Sequence, residues 1–118
     1  MITTKGLEAL LTDGYAQFDY IEVGTGSTAA AVGDTALETP ITAGGRAAIV
    51  TKMVASNVLT LEGLFTSAQG NGAIREVGIY DAVSGGNLLW RHVFSVPHTK
   101  LASKSAIVQL VITLTNAS

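Results

Sequence analysis

The run "SAIVQLVITLT", residues 105–115, constrains the fold more than any other stretch. Val108, Leu110, Ile112 and Leu114 fall at every second position, with Gln109, Thr113 and Thr115 on the opposite side. A period of two marks a strand with one buried face. The same alternation recurs upstream. In 57–66, Leu59, Leu61 and Phe65 oppose Thr60 and Glu62. In 46–55, Ile49, Thr51 and Met53 oppose Val50, Lys52 and Val54, and in 16–23, Phe18, Tyr20 and Glu22 oppose Asp19, Ile21 and Val23. Residues 73–81 read as a further strand, and 88–96 place Leu88, Trp90, His92, Phe94 and Val96 on one face. The turns "AQGNG" (68–72) and "AVSGGN" (82–87) and the loop "PHTKLASK" (97–104) divide these runs. Six or seven short strands so spaced predict an all-β fold, an antiparallel β-sandwich of jelly-roll or Greek-key type.

The start of the chain follows another period. Leu7, Leu10 and Leu11 recur at helical spacing behind Thr3 or Thr4 as a cap, and Gly14 closes the segment. Residues 1–14 are therefore expected to form a short helix or arm, and 15–118 a single β domain. A length of 118 residues fits one core.

One loop invites a chemical reading. Gly24, Gly26 and Ala29 in "GTGSTA" match the G-x-G-x-x-A pattern of a dinucleotide-binding turn. The context does not fit. Such a turn opens a helix, but Gly33 and Asp34 interrupt the alanine-rich segment. No acid lies between Glu38 and Glu62, where the ribose-binding carboxylate would stand about 20 residues on. The glycines read instead as positions where a side chain would obstruct the chain as it leaves a strand. Asp34 reads as the cap of a one-turn "TALE" segment that Pro40 helps to stop.

Other chemistry finds little support. Cysteine is absent, which excludes disulfides and thiolate chemistry. His92 and His98 are the only histidines, and His92 reads as a packed, hydrogen-bonded residue between Trp90 and Phe94. No His-plus-acid set accompanies the serines, so we expect no enzyme, no metal and no cofactor. The net charge of -2, with 14% charged residues, lacks the basic patch of a nucleic-acid binder. No basic amphipathic stretch points to a membrane surface, and no secretion signal is expected. Hydrophobic residues make up 47% of the chain, which predicts that neighbouring subunits cover part of its surface. Arg75 and Glu76 are strand neighbours that point to opposite faces, so each is expected to meet its own inter-strand or inter-subunit partner. Trp90 is expected to anchor the core and Arg91 to reach a partner surface.

Two stretches carry a resemblance. "IEVGTGSTAAAVGDTALETPI" (21–41) joins an apolar strand to G-T-G-x-T and then to D-T-A-L. "IREVGIYDAVSGGNLLWRHVFSVPHTKLASKSAIVQLVITL" (74–114) combines an E-x-G-I-Y-D strand, a glycine turn, a Leu-Leu-x-Arg strand, a Lys-bearing loop and a long alternating last strand. In this order they resemble small β-structured structural proteins of tailed bacteriophages. That resemblance implies a virion component made in the bacterial cytoplasm, commonly a trimer, with no active-site residues. It covers capsid decoration or cement proteins that bind the major capsid protein, and tail-fibre, collar or neck adaptors. The candidate assembly contacts are Leu7, Leu10, Leu11, Asp34, Arg75, Glu76, Arg91 and Lys100. A carbohydrate-binding module, with Trp90 and Tyr80 as stacking platforms, is the further alternative.

Overall fold

The computed structural model describes residues 1, 3, 5, 16–55 and 58–113. The expected helix over residues 3–12, with Leu7, Leu10 and Leu11, falls almost wholly outside them. Six strands follow in order: β1 (Tyr20–Gly24), β2 (Ala47–Ala55), β3 (Val58–Phe65), β4 (Gly72–Tyr80), β5 (Leu88–Lys100) and β6 (Ala106–Thr113). All neighbours are antiparallel, in the order β5-β4-β1-β2-β3-β6.

The all-β expectation holds, but the two-layer sandwich does not. A single sheet curls into a nearly closed, barrel-like form around one core. Alternation alone does not separate these architectures, because each buries every second side chain. Phe18, Ile21, Leu61, Phe65, Val77, Ile79 and Leu89 are buried in the concave core, with Leu110 and Ile112 from β6.

Two ladders are long and one is thin. β3 and β6 pair through eight positions without a shift. β1 and β2 share only Tyr20↔Ala48 and Ile21↔Ala47. Side chains reinforce that junction: Lys52 Nζ donates to Asp19 Oδ1 at 2.6 Å, and Arg46 Nε to Glu22 Oε2 at 3.4 Å.

Bulges correct the strict alternation expected for two strands. In β2, Ile49 pairs with Gly63 but Thr51 with Glu62, so Val50 is an extra residue. Ile49 therefore packs on the core while Met53 is exposed on the convex face. In β5, Ile79↔Trp90 is followed by Tyr80↔Leu88, which makes Leu89 the extra residue. Leu88 then joins Leu37 and Tyr80 in a second apolar cluster, while Leu89 enters the main core and half-buried Trp90 packs against it.

Residues 97–100, expected in a loop, extend β5. Pairing lapses after Val93 and resumes with Ile74↔His98, so a wide bulge accommodates Pro97, which has no N–H to donate. At the other end, Met1 and Thr3 lie antiparallel along β5. The Met1 amino group donates to Arg91 O at 2.7 Å, Arg91 N to Met1 O at 3.0 Å and Thr3 N to Leu89 O at 3.1 Å.

Candidate functional site: a loop closed on a buried carboxylate

Glu76 lies on β4 opposite Val93, and Arg91 lies on β5 opposite Gly78. Paired residues share a face, so both side chains emerge on the convex side of the sheet. There the chain between β1 and β2 folds back over them, fixed by Thr25 N→Thr39 O at 2.9 Å and Ile41 N→Val23 O at 2.8 Å. Glu76 is fully buried and Arg91 is 2% exposed.

The Glu76 carboxylate organises this loop. It accepts hydrogen bonds from the amides of Gly26 at 2.9 Å, Glu38 at 2.9 Å and Thr39 at 2.8 Å, and from Arg91 Nε at 3.1 Å. Arg91 donates its remaining fork to Asp34 Oδ2 at 3.0 Å and to the Thr28 carbonyl at 2.9 Å. Buried charges need such complete satisfaction, because an unmatched one carries a desolvation cost of several kcal/mol. Glycine is required for the approach. A Cβ on Gly24 would lie 2.6 Å from Glu76 Oε2, and one on Gly26 would lie 2.6 Å from Glu38 Cβ and press on the Glu76 carboxylate.

A second carboxylate sits at the rim. Glu38 accepts from Ser27 N at 2.8 Å, from Thr28 N at 3.1 Å and from the Thr28 hydroxyl. The Thr28 hydroxyl, followed by the Thr28 amide, holds the Glu38 carboxyl below its usual range. The amides of residues 25–28 thus meet Thr39 O, Glu76 and Glu38. A loop that looks like a phosphate cradle binds an anion, and that anion is its own chain's carboxylate.

Asp34 is recruited differently from expectation. No helical turn forms over 35–38. Asp34 Oδ2 accepts from the amide of Ala31 at 2.9 Å, three residues back, and from Arg91. The buried guanidinium draws the carboxylate inward, away from the amides ahead of it. Arg91, expected to reach a partner surface, instead ties Glu76, Asp34 and Thr28 of its own chain together. Beside this pair, Arg46 stacks over Tyr80 with its guanidinium carbon 3.5 Å from the ring centroid. The Tyr80 hydroxyl accepts from Leu37 N at 3.1 Å, and burial pushes its pKa up. Tyr80 is 3% exposed and offers no stacking face to a sugar.

Of the other candidates, Arg75 borders the same loop at Ser27, Ala29 and Ala30, and Lys100 lies away from it. Arg75 lines a shallow depression of about 460 Å³ with Met1, His92 and Phe94. His92 is exposed, not enclosed as expected. Its ring stacks near-parallel on Trp90 at 5.9 Å and meets Phe94 edge-on at 5.0 Å, and Phe94 meets His98 at 4.8 Å. Partial burial, aided by the nearby positive amino group of Met1, lowers the His92 pKa. Lys100 is buried, with Nζ donating to Asn71 Oδ1 at 2.7 Å. It lines an apolar groove of about 530 Å³ between β5 and β6, with Val23, Val77, Phe94 and Val108.

Among the described residues no three potential ligands gather around a metal position, and no helix is long and apolar enough to cross a membrane. The sequence reading missed Glu76 as the centre of the loop. Its signals were present: two closely spaced glycines, and an acid directly ahead of the apolar run "VGIY". Compared with known proteins, the chain matches no family model and no curated protein.

Proposed function

We propose that the chain is a non-enzymatic structural protein of a tailed bacteriophage virion, a capsid decoration or cement protein that binds the assembled shell. The observation that carries this reading is the convex face of β2, β3 and β6. Val50, Met53, Leu64, Ile107 and Val111 stand there between 47% and 75% exposed. Leu64 and Ile107 are direct cross-strand partners, and Thr60 pairs with both Met53 and Val111. The polar row Thr51–Glu62–Gln109 crosses this face between Leu64–Ile107 and Met53–Val111, and an exposed, largely apolar face on a small chain is a surface for association. The inward use of Glu76, Arg91 and Asp34 points the same way, because the polar groups of the loop hold the scaffold together. Self-association, as a trimer, covers part of this face, and the major capsid protein meets the rest.

Binding only the assembled shell stabilises it by mass action. The test is to add purified protein to shells that lack it, then follow co-sedimentation and the temperature of shell rupture. Saturable binding and a higher rupture temperature are expected. Protein that stays monomeric and does not sediment with shells overturns the proposal. Antibody label at the tail instead of the shell reassigns the chain to a tail-fibre, collar or neck role.

A further inference from the structure

The two end strands of the sheet are built differently. β5 carries devices that stop an edge from recruiting other chains: the bulge at Pro97, and Met1 and Thr3 laid along its first residues. β6 carries neither. The sequence "AIVQLVIT" has no charge, no proline and no glycine, and its register against β3 is unbroken over eight pairs. Natural sheets blunt their edges with charge, proline, bulges or a cover, and a flat, uncharged, β-branched edge is a template for another strand.

We propose that the β6 edge takes an extended segment of another protein chain, added antiparallel in the seam between β6 and β5. Main-chain hydrogen bonds supply the affinity in this mode, and alternate side chains supply the specificity. The apolar groove described above opens at the start of this seam, beside Ala106–Val108, and an added strand sets the apolar side chains of its carboxyl-terminal half on Val23, Val77, Phe94 and Val108. The polarity of the occupant follows from charge. An antiparallel strand ends beside the start of β6, where Lys100 and Lys104 line the groove. No acidic residue lines it, and Lys100 has no carboxylate partner among the described residues. The occupant is therefore an alternating apolar segment with an acidic carboxyl end. A second copy would have to bring its own β3 and β6 into the same gap, whereas a single extended segment needs only the free side of β6. The inference stands whether or not the chain belongs to a virion.

The probe is an acetylated ten-residue peptide that alternates threonine and valine and ends in two glutamates. Titration calorimetry is expected to give a Kd below about 1 mM, and amide exchange is expected to slow at alternate positions of 106–113. A peptide with prolines at alternate positions, or one ending in two lysines, is expected to bind at least tenfold more weakly. Lys104→Glu, on the exposed loop, is expected to reverse the preference between the two endings. Failure of the glutamate-ended peptide to bind, or protection confined to other strands, overturns the proposal. A free protein that is already dimeric with protected β6 amides assigns the edge to a second copy and overturns it too. Binding of decanoate with refusal of the peptide assigns the groove to a small amphiphile, with the same result.

Discussion

The convex surface of this barrel has two halves with opposite treatments. Over β1, β4 and β5 the chain lays its own loop, sealed by Glu76, Arg91 and Asp34. Over β2, β3 and β6 it leaves Val50, Met53, Leu64, Ile107 and Val111 uncovered. One half hides charge beneath polypeptide, and the other shows apolar side chains to its surroundings. The contrast indicates where stability and association reside. Substitutions under the loop should act on folding, and those on the bare half on assembly.

The largest effect is expected at Arg91. Arg91→Met strands the Glu76 carboxylate without its counter-charge and should cost about 3–5 kcal/mol of stability by chemical denaturation. Arg91→Lys keeps the charge but loses the fork that reaches Asp34 and Thr28, so a smaller loss is expected. A loss below about 1 kcal/mol for Arg91→Met would show that the pair does not hold the loop.

Gly26→Ala drives a methyl group against Glu76 and Glu38 and should cost about 1–3 kcal/mol. Gly33→Ala is the matched control in the same loop. Nothing lies within 4 Å of its new Cβ, so a change within about 0.5 kcal/mol is expected. Equal losses at both positions would remove Glu76 as the cause.

The bare half reverses the pattern. Leu64→Thr with Ile107→Thr should leave the unfolding midpoint almost unchanged, within about 0.5 kcal/mol. Self-association, read by sedimentation, should weaken at least tenfold. A large loss of stability with intact association would break the contrast.

The smallest effect concerns acid. Glu38 titrates below the usual carboxyl range in the folded chain. The folded state therefore holds fewer protons on this group than the unfolded state as pH falls through that range. Its contribution is complete above the ordinary carboxyl range, near pH 4, and is lost as pH drops through the lowered folded value. Denaturation midpoints from pH 7 to 3 should fall more for the native chain than for Glu38→Gln. Parallel curves would show that the Thr28 contacts carry no linkage.

The sequence made much of this fold legible. Leu59, Leu61 and Phe65 alternate in β3 as they do in the barrel, and Leu110 and Ile112 in β6 do the same. Legibility failed where one inserted residue changes faces. Val50 and Leu89 break the period, and composition does not announce a bulge. The pairing of Glu76 with Arg91 also lay out of reach, since it depends on which strands become neighbours. Gly24 and Gly26 did announce a close approach, but not the carboxylate that makes it. The choice between sandwich and barrel rests on curvature, which alternation does not encode.

The two backbone pairs between β1 and β2 have a mechanical consequence. They form a narrow spine between two stiff leaves, β5-β4-β1 on one side and β2-β3-β6 on the other. A load applied across the molecule concentrates there, where Lys52–Asp19 and Arg46–Glu22 act as tie-rods beside the pairs. Removing the tie-rods, by Lys52→Met and Arg46→Met together, leaves the two backbone pairs to carry that load alone.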